Sequence, residues 1–238
     1  MNNILEVNNL VKNYGKKSVL NQTTFTIAPR RIVGLMGPNG SGKTTMLKIF
    51  SGLIKSKSGE VEIKGRKLGQ ETKALVSFMP DESILYKWMK VKDAIDFYKG
   101  FYPDFDSQRM ANLLNFMELT ENQKVDKLSK GNSEKLMIAL TISRSANLYL
   151  LDEPLGGIDP VAKSKILSSI LEHFTREDSS MLISTHLIKD VEKVFDDVLF
   201  LKDGKIHLAG ECDQLREEHG KTIEDLYIDI FSSTASNL

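Results

Sequence analysis

Short apolar runs alternate with glycine-bearing turns along most of the chain, with a long helical stretch near the middle. Residues 4–7 and 19–27 read as strands, the second alternating apolar and polar positions. Pro29, Arg30 and Arg31 close a turn into residues 32–36 (Ile-Val-Gly-Leu-Met), a run short and apolar enough for a strand buried on both faces. Strands are also expected at 60–63, before a turn at Gly65, and at 75–78. Between Pro80 and Leu128 the period turns helical, with apolar side chains at three- and four-residue steps over 91–98 and 107–119. Pro103 and the acidic residues Asp104 and Asp106 break these two helices, with Asp106 or Ser107 as N-cap of the second. A helix is expected over 133–145, then buried strands at 148–151 and 181–184 with a helix opened by Pro160 between them. Residues 198–201 and 205–209 flank Asp203 and Gly204, a strong hairpin turn. The end reads as helical around residues 224–228, and a polar tail starts at Ser232.

Strands alternating with helices predict an α/β fold, a mainly parallel sheet covered on both faces. The expected domain spans residues 1–231, with a core at about 1–80 and 146–231, a helical subdomain at about 81–145, and a tail at 232–238. The 238 residues are 41% hydrophobic, enough for a substantial core. Lys plus Arg and Asp plus Glu both number 32, and this balance argues against a broad nucleic-acid-binding surface. A single cysteine, Cys212, excludes an internal disulfide and suits a reducing cytoplasm. The opening residues have no basic stretch ahead of an apolar core, so no signal peptide is expected. No apolar run approaches the roughly 18 residues of a membrane span, so any membrane role is expected through a partner. His173, His207 and His219 lack Cys or His neighbours at metal-ligand spacing and read as surface or structural.

The apolar run at 32–36 leads into Gly37, Pro38, Asn39, Gly40, Ser41, Gly42, Lys43, Thr44 and Thr45. These fit the phosphate-binding pattern G-x-x-x-x-G-K-[ST] between a strand and a helix. The glycines let backbone N–H groups turn inward around an anion, and the helix starting at Lys43 adds its positive dipole end. Lys43 can neutralise β- and γ-phosphate oxygens, and the Thr44 hydroxyl can ligate Mg²⁺. Residues 148–151 end in Asp152 and Glu153, two carboxylates at the strand end where an open α/β sheet has its ligand crevice. Asp152 is placed for a Mg²⁺ shell, and Glu153 to orient a water or take its proton. His186, just past another strand end, is read with these motifs as a γ-phosphate contact. Tyr14 is open between stacking on an adenine face and a packing or surface role.

Taken in order, these residues resemble the ATP-binding domains of ABC transporters, and the resemblance covers nearly all of the chain. Tyr14 stands where that family has its A-loop aromatic, and Gly37 to Thr45 where it has Walker A. Residues 128–132 take the place of the signature, 148–153 of Walker B, 156–159 of the D-loop, and His186 of the switch histidine. The resemblance implies a RecA-like P-loop NTPase core with an N-terminal antiparallel β portion and an inserted helical subdomain. It implies ATP and Mg²⁺ as cofactors, catalysis by Glu153, His186 and Lys43, and metal ligation by Thr44, Asp81 and Asp152. It further implies a head-to-tail dimer, homo- or heteromeric, in which Ser129 and Gly131 of each copy complete the ATP site of the other. The partner implied is a membrane permease, holding the chain at the cytoplasmic face of the membrane and docking beside the helical insert.

Two departures from the family pattern bear on hydrolysis rate more than on ATP binding. Asp81 stands where Gln is usual, and Leu128, Ser129, Lys130, Gly131 and Asn132 replace Leu-Ser-Gly-Gly-Gln. They leave a weakly hydrolysing scaffold as one alternative; a soluble ABC ATPase without a permease is another. Residues 79–89, with the signature and residues 152–160, are similar to a bacterial branch often encoded beside GntR-type repressors. That branch includes exporters of antimicrobial or cytolytic peptides. Of the many aromatics in the helical stretch, Phe97 and Phe101 are expected in its core. Tyr86 and Trp88 are open between packing and permease docking.

Overall fold

The computed structural model describes residues 3–156, 163, 166–167, 174, 178–186 and 194–232. Strands β1 (Leu5–Tyr14), β2 (Lys17–Ile27), β4 (Ser58–Ile63) and β5 (Arg66–Lys67) form an antiparallel sheet in the order β2-β1-β4-β5. Strands β3 (Ile32–Met36), β6 (Val76–Met79), β7 (Leu148–Asp152), β8 (Ser180–Thr185), β9 (Asp197–Lys202) and β10 (Lys205–Glu211) form a second sheet. Its order is β10-β9-β3-β8-β7-β6, parallel except for the β9–β10 hairpin. The apolar runs at 32–36, 148–151 and 181–184 are therefore inner strands with both faces covered, whereas 76–79 forms the edge strand β6.

The two-residue period of those strands sorts their side chains into two cores. Val33 and Leu35 of β3 join Leu148, Leu150, Leu182, Leu199 and Leu201 on the face shared with the antiparallel sheet. Helix α1 (Lys43–Phe50) lies there, burying Met46, Leu47, Ile49 and Phe50. The intervening residues Ile32 and Met36, with Tyr149, Leu151, Met181, Ile183, Val198 and Phe200, line the opposite core. That core is covered by α5 (Lys130–Ile142) and by α6 (Cys212–His219) and α7 (Ile223–Ser232) near the end of the described chain.

Several elements differ from the sequence expectation. Strand β1 continues to Tyr14, so the aromatic ends a strand instead of sitting in a turn. A short helix, α2 (Gln70–Leu75), precedes β6. Of the helices after β6, α3 (Val91–Phe101) and α4 (Ser107–Phe116) follow the predicted period, and Asp106 caps α4 by accepting from Arg109 N at 2.9 Å. Helix α5 begins ahead of the expected residue 133, because the Ser129 hydroxyl accepts from Asn132 N at 3.2 Å and serves as its N-cap. The Phe97 and Phe101 expectation is corrected: they are 47% and 68% exposed and stack on each other at 4.8 Å. The inward stripe of α3 is Val91, Ala94 and Tyr98, packed with Met110, Leu113 and Leu136, and it leaves 97 and 101 on the outer flank. The helix expected from Pro160, and Asp159 of the D-loop, lie outside the described residues.

Candidate functional site

Strand order puts the candidate residues together. Strand β8 lies between β3 and β7, and the parallel register sets Met36 opposite Thr185 and Asp152 opposite Ser184. The loop after β3, the carboxylates at the end of β7 and the histidine after β8 therefore open on one crevice at the carboxyl ends of the strands.

Gly37 is buried, and a Cβ there would meet the Leu201 carbonyl oxygen at 2.5 Å, so no larger residue fits without moving β9. Pro38, Asn39 and Gly40 form the exposed tip of the loop. Gly42 has φ 112 and caps α1 from a conformation open to glycine. Thr44 and Thr45 in the first turn are half-buried. Lys43 is 6% exposed; its Nζ donates to Gly37 O at 2.8 Å and Pro38 O at 3.4 Å, and lies 3.4 Å from Glu153 Oε1. The buried Ser41 hydroxyl has no hydrogen-bond partner within the protein.

Asp152 is fully buried. Its Oδ1 accepts from the Ser184 hydroxyl at 2.6 Å, and its Oδ2 has no protein partner. Burial pushes its carboxyl above the ordinary value of 3.8. The Ser184 hydrogen bond and the nearby Thr44 hydroxyl oppose that rise, and the charges of Asp81 and Glu153 add to it. Glu153 sits at φ 48, unusual for a side-chain-bearing residue, and its N–H donates to both Ser184 O at 3.1 Å and Ser184 Oγ at 3.0 Å. This turn aims its carboxylate between two strand ends: Oε1 faces Lys43, while Oε2 accepts from His186 N at 3.3 Å and meets His186 Nδ1 at 2.9 Å.

Asp81 is exposed just after β6, near enough for its charge to bear on Asp152. A cleft of about 1220 Å³ runs from Thr44 and Asp152 past Asp81 to Tyr102, Asp104 and Arg144. Tyr14, 52% exposed at the end of β1, has Lys12 Nζ 5.2 Å from its ring centroid and does not line that cleft. Ser129 is exposed and Gly131 half-buried at the start of α5. Among the described residues, the hydrogen bonds of Ser129 stay within its own helix. The sequence reading does not single out Ser184; the available signal is a hydroxyl residue directly after the apolar Met181–Ile183 stretch of β8, at the strand end where the site lies.

A divalent cation fits these groups. An unpartnered carboxylate oxygen in a buried, desolvated setting beside the Thr44 hydroxyl is an acceptor that a hard cation satisfies. Among the described residues no three His, Cys, Asp or Glu side chains converge on one position. Mg²⁺ asks less of the protein, usually one or two carboxylates with phosphates and waters completing the shell.

A glycine loop on a helix N-terminus, a lysine at its base, and two carboxylates one strand away define a nucleotide-hydrolysing P-loop site on a RecA-like core. Residues 20–156 match the family described as ABC transporter, and the chain belongs to that family. "ABC transporter ATP-binding protein YtrB" of Bacillus subtilis (strain 168) is 32% identical over 220 residues, 92% of this chain and 75% of the relative. "Lantibiotic transport ATP-binding protein SrtF" of Streptococcus pyogenes is 32% identical over 212 residues, 88% of this chain and 92% of the relative. Among solved structures, "Structure of ATP binding subunit of ABC transporter" superposes with TM-score 0.85 at 28% identity, covering 95% of this chain and 98% of that one. "Dimeric structure of a post-hydrolysis state of the ATP-binding cassette MJ0796 bound to ADP and Pi" shares the fold, with TM-score 0.76 at 24% identity over 87% and 98%. This chain is an ATP-binding subunit that hydrolyses ATP, and its hydrolysis is coupled to transport.

Proposed function

We propose that two copies of this chain, or one copy and a homologous subunit, close over ATP to drive a membrane permease that exports peptides. Charged phosphate oxygens are stronger acceptors than the carbonyls of Gly37 and Pro38 that hold Lys43, so Lys43 turns to the β- and γ-phosphates while the loop N–H groups cradle them. Tyr14 stacks on the adenine. Thr44 and Asp152, with Asp81 nearby, would hold Mg²⁺. When bound, the ion neutralises charge on the transferring phosphoryl group. Glu153 orients the attacking water and takes its proton, and His186 fixes the Glu153 carboxylate and contacts the γ-phosphate.

One observation carries the reading: Lys43, Glu153 and His186 form a continuous contact chain next to a desolvated Asp152. A scaffold that only bound nucleotide would have no need of that arrangement. The exposed Ser129, at a helix N-terminus outside its own phosphate loop, suits a site completed by another copy. The likeness to a lantibiotic transport subunit supports peptide cargo. Among the described residues no helix is long and apolar enough to cross a membrane, which suits a subunit held at the inner face by a permease.

Glu153→Gln tests this: steady ATP turnover is expected to fall about a thousandfold while ATP-dependent dimers accumulate. Under those conditions cysteines at Ser129 of one copy and Ser41 of another should crosslink. Turnover per copy that survives dilution unchanged refutes the dimer, and full activity in Glu153→Gln refutes the assigned base. Co-purification with a peptide-exporting permease tests the cargo.

A further inference from the structure

The helical stretch between β6 and β7 joins the sheet at two crossings, and these are built differently. At the entry, residues 81–84 and 86–88 are exposed. Hydrogen bonds of residues 81–88 are local, Leu85 N to Ser83 Oγ at 3.4 Å and Met89 N to Tyr86 O at 3.0 Å, and the first bond out of the segment is Val125 N to Met89 O at 2.9 Å. The exit, after α5, is clamped. Asp106 N donates to Ser143 O at 2.7 Å, Ser145 N to Asp104 O at 3.0 Å, and Asn147 N to Leu75 O at 2.9 Å.

Arg144 stands at the centre of this exit and is 4% exposed. Its guanidinium forms a two-pronged pair with Asp104, Nε to Oδ1 at 3.1 Å and Nη2 to Oδ2 at 3.0 Å. The same group donates to two carbonyls at the base of β6, Val76 O at 2.5 Å and Ala74 O at 3.2 Å, and lies 3.9 Å over the Tyr102 ring. Its own carbonyl accepts from Tyr149 OH at 2.5 Å and Arg109 Nη1 at 3.1 Å. One side chain thus joins the end of α5, the start of α4 and the strand that leads to Asp81. A planar fork with several fixed donors can do this; an ammonium group cannot.

We propose that Arg144 is a positioning residue: the pivot that fixes the angle of α5 against the sheet, and so where Ser129 is presented to a second copy. The inference rests on the proposed dimer. Helix α5 transmits the setting as a rigid rod, since Leu136 to Ile142 are buried without a break. Because Tyr102, Asp104 and Arg144 also line the cleft that reaches Asp81, an occupant pressing there acts on the same pivot.

Two variants test it. Arg144→Lys keeps the charge without the fork, and Asp104→Asn keeps the shape while removing the ion pair, so it serves alone if Arg144→Lys does not fold. In the Glu153→Gln chain each is expected to weaken ATP-driven dimerisation about tenfold while ATP affinity of the single copy stays within about twofold. Spin labels at Lys130→Cys and Lys57→Cys, with the buried Cys212 left in place, should show a broadened distance distribution in both variants. A distribution as narrow as in the parent, or ATP affinity falling in step with dimerisation, overturns the proposal. Should the parent itself fail to dimerise, the dimer reading falls, and the label distances still decide the pivot.

Discussion

The Ser184 hydroxyl donates to Asp152 Oδ1 at 2.6 Å and accepts from the Glu153 N–H at 3.0 Å, so one side chain holds the Asp152 carboxylate and the backbone turn that carries Glu153. Groups that orient metal-ligating carboxylates commonly matter ten- to a hundredfold for activity. Ser184→Ala is expected to lower kcat about tenfold or more and leave ATP affinity within about twofold. Loss of a hydrogen bond to buried Asp152 should also destabilise the fold by about 1–3 kcal/mol. Steady-state ATPase assays and thermal melts check both, and a variant with wild-type kcat removes Ser184 from the site.

Asp152→Asn is expected to abolish turnover yet melt no lower than the wild type, and to gain stability as pH rises relative to it. The sign follows from a carboxyl held above 3.8 by burial. The folded chain then binds that proton more tightly than the unfolded one, so the penalty of ionisation appears as pH rises above 3.8 and is complete above the folded value. The neutral amide lacks this penalty while keeping an acceptor for Ser184. Melting curves of both proteins across the acid range give the comparison, and a lower Tm for the variant at neutral pH would contradict it.

Gly37→Ala puts a methyl group where the Leu201 carbonyl already stands. Backbone cannot give way as a flexible side chain does, so the loop or β9 must shift. Nucleotide affinity should fall about tenfold or more, since a displacement near 1 Å disrupts several N–H contacts at once. Equilibrium binding of a fluorescent ATP analogue measures it, with unchanged affinity as the disproof.

Trp88 is 71% exposed and stacked on Tyr86 at 5.9 Å beside the entry crossing, an arrangement that favours a partner surface over a packed core. Trp88→Ala is expected to leave ATP affinity unchanged and reduce transport per ATP hydrolysed in vesicles carrying the permease. Equal coupling in variant and wild type ends the docking role.

The P-loop, the strand before it and the Asp152–Glu153 pair were legible because each is written in adjacent residues: a buried run, obligatory glycines, charges at a strand end. Helix periods showed the same way over 91–98. Phe97 and Phe101 misled because composition alone does not say which flank of α3 faces the core. The expected start of α5 at 133 is late because the Ser129 cap lies in residues that otherwise read as a loop.

The chain's own sequence determined the glycine loop, the helix that follows it and the two carboxylates at a strand end, since local backbone geometry and charge suffice for that. Only the tertiary structure decided that β8 separates β3 from β7. That order brings Ser184 to Asp152 and His186 to Glu153, and folds Arg144 back onto Asp104 and the base of β6. These pairings join residues far apart along the chain. They exist because buried polar groups must find partners once the strands are ordered, and strand order is set by the packing of two cores, which no short stretch of sequence records.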